Sequence, residues 1–222
     1  GASANTYTGL TTVSAGGLTL NKTAVDAIAG NVLVNGTGTL TLSADDQIND
    51  ASDVEVAAGT FALGGNTDTV NGVKLTGGAI TGTGNNGILT SITAYDLQSG
   101  SSSAVLAGTA GATKTTAGTV ALTKANTYSG GTTLSDGTLQ LGNNSALGTG
   151  AVALNGGTLS SGTVNNRTIL NTTTIGGNVT LGDAANDGKL NFSAGVDLGA
   201  ADRTLTTASS VAFNGAVSGN GG

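Results

Sequence analysis

The chain has 222 residues and a net charge of −6, with 39 glycines, three tyrosines, three phenylalanines and no proline, cysteine, histidine, methionine or tryptophan. Without cysteine and histidine it forms neither disulfides nor a nitrogen–sulfur zinc site, and without proline its glycine excess does not indicate collagen. Its seven lysines and arginines are scattered, so no nucleic-acid partner is predicted, and no apolar run approaches the roughly 20 residues of a membrane helix.

Short strands with alternating apolar residues are predicted along the whole chain. Each has about five residues and lies between turn sequences such as NG, GG and SDG, a pattern typical of half-buried β-strands. Only VDAIAG, around Ile28, has a faint helical tendency. In chain order, the clearest alternating pairs are Val32 and Val34, Leu40 and Leu42, Val54 and Val56, Phe61 and Leu63, and Leu139 and Leu141.

A long internal repeat selects among the folds that such strands could form. NTYTGLTTVSAGGLTL (5–20) aligns without a gap with NTYSGGTTLSDGTLQL (126–141), and ten of the sixteen paired residues are identical. Sandwiches and barrels seldom repeat themselves, whereas a solenoid stacks nearly equivalent coils. We therefore predict an all-β, right-handed parallel β-helix (β-solenoid), with repeat-like segments at 5–36 and 126–159.

The predicted solenoid is a single elongated domain that spans residues 1–222 without a linker. A coil of about 20 residues gives about eleven coils and, at about 4.8 Å per coil, a rod about 50 Å long. Inward aliphatic side chains fill the narrow bore of such a rod and make aromatic residues unnecessary. In the second repeat the alternation places five residues in the bore: Leu139, Leu141, Val152, Leu154 and Leu159.

The second repeat also carries a family pattern, which consists of Asn126, Tyr128, Gly130, Gly131, Gly137, Leu139, Leu141, Gly148 and Gly156. It resembles the passenger-associated transport repeat of bacterial autotransporters, also called the autotransporter-associated β-strand repeat. In the first copy Leu10 replaces the second glycine. The resemblance implies a parallel β-helix that is passed through an outer membrane, so an extracellular or bacterial cell-surface location is expected.

No catalytic constellation is predicted. Ser–His and Cys–His nucleophilic pairs are excluded by composition, which leaves only carboxylate chemistry. The nearest acid–base pairing is Asp202 with Arg203, adjacent residues that are more typical of a solvated ion pair at a turn. We therefore expect no enzymatic activity and no organic cofactor.

Calcium is the metal for which the sequence offers ligands, because it takes oxygen donors from Asp and Asn in turns. The segment DDQINDASD supplies Asp45, Asp46, Asn49, Asp50 and Asp53, and GDAANDG supplies Asp183, Asn186 and Asp187. Neither segment matches a known calcium loop, so an acidic surface turn is the alternative interpretation of both. We expect the fold itself not to require metal, since the aliphatic ladders are continuous without it.

Two functions remain compatible with the sequence. The first is a structural one, in which a rigid extracellular solenoid acts as a stalk, spacer or filament unit. The second is an adhesin that binds a glycan or another cell through a lateral face. Tyr7 and Tyr128 occupy equivalent positions of the two repeats, and we expect them to pack against a coil rather than to stack on a sugar.

The C-terminal sequence suggests how the chain meets its neighbours. FNGAVSGNGG resembles the segment that leads into a further repeat. An end coil also exposes unpaired backbone groups, which a further coil would pair. We therefore expect either continuation into a longer repeat array or head-to-tail association with a second copy.

Overall fold

The structure, a computed structural model, describes residues 3–185 and 188–219. These residues form 27 short strands and no helix, and every pairing among the strands is parallel. The helical tendency around Ile28 is not realised, because Ile28 forms a parallel bridge with Ile48 in the next coil. Residues 3–185 and 188–219 contain no helix that is long and apolar enough to cross a membrane.

Two long sheets form two faces of the solenoid. The first has eleven strands: β1 (Thr11–Val13), β3 (Val32–Val34), β5 (Asp53–Val56), β8 (Gly72–Leu75), β11 (Tyr95–Leu97), β14 (Ala112–Lys114), β16 (Thr132–Leu134), β18 (Val152–Leu154), β21 (Thr173–Ile175), β24 (Val196–Asp197) and β27 (Val217–Ser218). The second has ten: β2 (Gly17–Leu20), β4 (Thr39–Leu42), β6 (Thr60–Gly64), β9 (Ala79–Gly82), β12 (Gly100–Ser102), β15 (Thr119–Leu122), β17 (Thr138–Leu141), β19 (Thr158–Ser160), β22 (Val179–Leu181) and β25 (Leu205–Thr207).

The third face is made of two separate three-stranded sheets. One contains β7 (Thr67–Val70), β10 (Ile88–Ser91) and β13 (Val105–Ala107), and the other contains β20 (Arg167–Ile169), β23 (Leu190–Phe192) and β26 (Val211–Phe213). Between them the chain passes this face twice without forming a strand, at 125–128 and 145–148.

Each strand pairs in register with the strand one coil later. Thr132 pairs with Val152 and Val152 pairs with Thr173, so these successive coils are nearly equal in length. The eleven strands of the first sheet make ten coil-to-coil steps, about 48 Å at about 4.8 Å per step. The predicted all-β parallel solenoid is confirmed, while the assignment of residues 1–222 to one domain stays a prediction.

The bore is filled by aliphatic ladders that run along the solenoid. Leu134, Leu154 and Ile175 are register partners in three successive coils, and all three are fully buried. Each such side chain contributes about 1.5–3 kcal/mol by leaving water. The five residues predicted to line the bore are confirmed as buried: Leu139, Leu141, Val152, Leu154 and Leu159.

Replacing Leu154 with alanine should lower the free energy of unfolding by about 2–5 kcal/mol, because it opens a cavity between Leu134 and Ile175. The change is measured by urea unfolding followed by circular dichroism. The control is Ala153→Ser, since Ala153 is partly exposed on the same strand, and its effect should stay within about 0.5 kcal/mol. Equal losses from the two variants would contradict the assignment of Leu154 to the bore.

Candidate functional site

Polar side chains are buried where regular backbone pairing stops on the third face. Leu106 lies on β13, the last strand of the sheet that β7, β10 and β13 form. Its backbone amide donates to the side-chain oxygen of Asn126 at 2.9 Å instead of to the backbone of a further strand. The amide nitrogen of Asn126 then donates to the Ala146 carbonyl of the following coil at 2.7 Å. One buried side chain thus pairs the backbone of the coil before it and of the coil after it, which a gap in the sheet would leave unpaired.

Tyr128 fills the bore beside Asn126. Its ring is fully buried and lies 5.9 Å, centroid to centroid, from the ring of Tyr95. Its hydroxyl lies 2.7 Å from the Thr132 hydroxyl, which in turn donates to the Leu147 carbonyl. A Cβ at Gly148 would lie 2.6 Å from the Tyr128 ring, and its φ of +68° also favours glycine. The sequence pattern that the two repeats share is therefore a packing pattern.

The first repeat makes the same contacts with less cover. Asn5 donates to the Ala27 carbonyl at 2.6 Å, as Asn126 does to that of Ala146, and the Tyr7 hydroxyl lies 3.0 Å from that of Thr11. Tyr7 is nevertheless 46% exposed, whereas Tyr128 is 0% exposed. The expected packing role is thus confirmed for Tyr128, and Tyr7 adopts the same hydrogen bonding in the first described coil.

A buried lysine is a feature that sequence reasoning missed. Lys114 ends β14 on the inward side, and its ammonium group donates to the carbonyl oxygens of Thr116 and Asp136, the latter at 3.2 Å. Burial lowers the pKa of the amine, while the charges of Asp136 and Asp96 act in the opposite direction. The sequence does contain one indication of this burial. Lys114 is two residues after the inward Ala112, so the alternation along β14 places it inward too.

A buried carboxyl group was missed in the same way. Asp68 lies on β7, two residues before inward Val70, and is 1% exposed. One carboxyl oxygen, Oδ2, accepts the amide protons of Gln47 at 3.0 Å and Ile48 at 3.2 Å. Burial raises the pKa of Asp68 to about 7, and the charge of Asp46 adds to the increase, while the backbone hydrogen bonds oppose it.

The predicted calcium ligands form hydrogen bonds with separate partners in the structure. Asp45 accepts the Thr67 amide at 2.7 Å, Asn49 donates to Asp26 at 2.7 Å, and Asp53 accepts from the Asn71 side chain at 2.7 Å. Asp46 and Asp50 are exposed, and Asp46 has a φ of 51°. Within the described residues no three acidic side chains converge to hold a metal ion, and calcium binding here stays a prediction.

The second acidic segment is only partly described. Asp183 accepts the Ala185 amide at 2.9 Å within its own turn. Asn186 and Asp187, the other two predicted ligands, lie outside the described residues. Calcium binding at this segment also stays a prediction.

An open groove of about 390 Å³ lies on the outer surface of the first sheet. Leu10 and Leu33 supply apolar wall, and Glu55 and Asp96 supply carboxylates. Lys74 lies in the same groove, with its ammonium 3.6 Å from a carboxyl oxygen of Glu55. Both charged side chains of this pair are well exposed, so the pair adds little to stability.

These features define a class of protein, a parallel β-solenoid whose coils are joined by buried polar side chains as well as by backbone pairing. Residues 2–20 and 113–141 match the family model of the passenger-associated-transport-repeat, and both segments contain the NTY motif. Comparison with characterised proteins and with solved structures gives no match. The predicted resemblance is confirmed: the chain carries passenger-associated-transport repeats, which fit an autotransporter passenger.

Replacing Tyr128 with phenylalanine should cost about 0.5–1.5 kcal/mol of unfolding free energy, because it removes a buried hydrogen bond to Thr132 while keeping the ring. Tyr7→Phe is the matched control, since it removes the same bond at an exposed site and should cost less than about 0.5 kcal/mol. Chemical denaturation of the two variants measures the difference. A larger loss for Tyr7→Phe would contradict the packing role assigned to Tyr128.

Proposed function

We propose that this chain is an extracellular structural solenoid that acts as a rigid stalk, spacer or filament unit at a bacterial cell surface. The observation that carries the proposal is the unbroken eleven-stranded parallel ladder, in which every coil is hydrogen-bonded to the next. A stack of this kind gains length with each coil at constant cross-section. The match to the transport repeat supports this location, because it fits a secreted or cell-surface passenger.

The buried polar groups support a structural role rather than a catalytic one. Lys114, Asn126 and Tyr128 each use their polar atoms to pair the backbone or a hydroxyl group of adjoining segments. They lie inside the bore, whereas a reacting group must meet its substrate. These burial and pairing patterns support a non-enzymatic, structural role as the proposed function.

An adhesin is the second candidate, and the lateral groove is the observation that favours it. Its carboxylates, Glu55 and Asp96, and its apolar residues, Leu10 and Leu33, could contact the hydroxyl groups and the ring faces of a sugar. The groove has no aromatic side chain among the described residues that line it, and aromatic rings are the usual platform for sugar stacking. This is why we rank the structural role first.

The last described coil supports association with a further coil. Val217 is 50% exposed although its register partner Val196 is buried, and Phe213 is 36% exposed although its partner Phe192 is buried. A further coil placed on these side chains would cover them as the interior coils are covered. We propose that a longer repeat array, or a second copy stacked head to tail, supplies this further coil.

Deletion of residues 112–151 tests the structural role. Ala112, Thr132 and Val152 are register partners, so the deletion removes two whole coils and keeps the register. The maximum dimension measured by small-angle X-ray scattering should fall by about 10 Å, two coil rises, while the β-sheet circular dichroism per residue is unchanged. Loss of β-structure would show that the coils are not interchangeable spacer units.

The adhesin is tested separately on a glycan array with the full chain and with Asp96→Asn. The structural proposal predicts no saturable binding by either protein. Saturable binding that Asp96→Asn abolishes would contradict the proposal and establish the groove as a glycan site.

A further inference from the structure

The carboxyl group of Asp68 is incompletely paired inside the bore. Its Oδ2 accepts two amide protons, whereas its Oδ1 is buried and makes no hydrogen bond of ordinary geometry, although the Thr69 amide acts on the same carboxyl and opposes its protonation. In the described residues the only other buried side-chain oxygen or nitrogen without a partner is the Ser91 hydroxyl, which lies on the adjacent strand β10. Both unpaired atoms thus belong to one short stretch of the third face.

Asn126 shows what a complete arrangement looks like at the same level of this face. Asp68 pairs with Leu89, Leu89 pairs with Leu106, and the Leu106 amide donates to Asn126. Each of the two side chains uses one oxygen to accept amide protons from the preceding coil. Asn126 then donates from its second atom to the following coil. Asp68 makes no such bond from Oδ1, so the ionised form leaves an unpaired buried charge there, whereas the protonated form is neutral.

The charged groups around Asp68 also favour its protonated form. The negative charge of Asp46, in the preceding coil, repels a negative charge on the Asp68 carboxyl. Asp45 of the same coil accepts the amide proton of Thr67, the residue before Asp68. The strand that follows, β10, contributes isoleucine, leucine, threonine and serine, none of which ionises in this range. Burial of a carboxylate without a counter-ion is costly, so the neutral acid fits this position better.

We propose that Asp68 and the segment 45–48 form a corner latch that is closed when the Asp68 carboxyl is protonated and loosens when it ionises. In the closed latch Asp68 joins the amides of Gln47 and Ile48 to β7, at the first strand of the third face. Ionisation leaves a charge in the bore beside Asp46, and local opening of the corner brings that charge into water. The solenoid is then tighter at this corner in acidic surroundings than in alkaline ones.

The sign of the pH effect follows from proton binding. The closed latch holds its proton up to a pKa of about 7, whereas the open, solvated carboxyl has its ordinary pKa of 3.8. Because the closed form binds more protons between these values, its stability falls as the pH rises from about 4 to about 7 and levels off above that. With these two pKa values, opening at pH 8 is about 30-fold more frequent than at pH 5.5.

Hydrogen exchange of the full chain, followed by mass spectrometry, measures this opening in peptides that cover 45–50 and 66–70. The measurement is made in EDTA, so that bound calcium plays no part, and rates are divided by the intrinsic rate at each pH. Wild type should lose about 10- to 30-fold of its protection in these peptides between pH 5.5 and 8. Asp68→Asn, which keeps the shape and an acceptor but cannot ionise, should lose less than about 2-fold.

Asp197→Asn is the control, since it removes an exposed carboxyl that accepts the Gly199 amide at 2.9 Å far from the latch. It should retain the wild-type pH dependence. If Asp68→Asn does not fold, a carbon-13 NMR titration of the Asp68 carboxyl in wild type decides, with a midpoint near pH 7 expected. Protection that is independent of pH in wild type, a pH dependence in Asp68→Asn equal to that of wild type, or a midpoint below pH 5 would overturn the proposal.

Discussion

In a parallel solenoid, the amide groups of a coil pair mainly with the coils next to it. The amides of Ala112, Thr132 and Val152 donate to carbonyls of the following coil, at Gly131, Ala151 and Thr172. An unpaired buried amide is costly, so each coil must place its strands in register with those of its neighbours. The alternation of inward aliphatic and outward polar residues follows from this requirement, because a slip of one residue would turn every inward side chain outward.

Differences in coil length are accommodated in the turns, because the pairing of the strands is fixed. The coil from Tyr95 to its partner Ala112 is shorter than the coil from Thr173 to its partner Val196, yet both pairs lie in the same sheet. The extra or missing residues lie in the turns, where side chains take over backbone pairing. Asn126 does so at one gap in the third face, and Asp68 does so at the start of its first sheet. The structural role and the proposed latch thus arise from the same need to pair every coil with the next.

The sequence predicts the bore far better than it predicts the buried polar groups. Leu139 and Leu141 are predicted correctly because alternation between turns places them inward without reference to any other coil. Asp68 and Lys114 also obey the alternation, but their charge is more typical of an outward position. Their partners, Gln47 and Asp136, lie 21 and 22 residues away, so only the coil register brings them together.

The acidic segment 45–53 likewise shows that contacts between coils cannot be predicted from the local sequence. Asp45 and Asn49 are close in sequence, which is why the sequence predicts that they share a ligand. In the structure Asp45 pairs with Thr67 of the coil after it, and Asn49 pairs with Asp26 of the coil before it. Two residues of one coil thus have hydrogen-bond partners in different coils, and the sequence around them contains no information on which coil supplies each partner.

Distances between spin labels test the in-register stack most directly, since the chain has no cysteine and accepts labels at chosen sites. Glu55, Lys74, Asp96 and Thr174 lie in one outward column of the first sheet, with Thr174 six, five and four coils from the first three. Pulsed electron paramagnetic resonance on cysteine pairs with Thr174 should give about 29, 24 and 19 Å, a regular decrease of about 4.8 Å per coil. Distances that do not decrease by one coil rise at each step would contradict the parallel in-register solenoid.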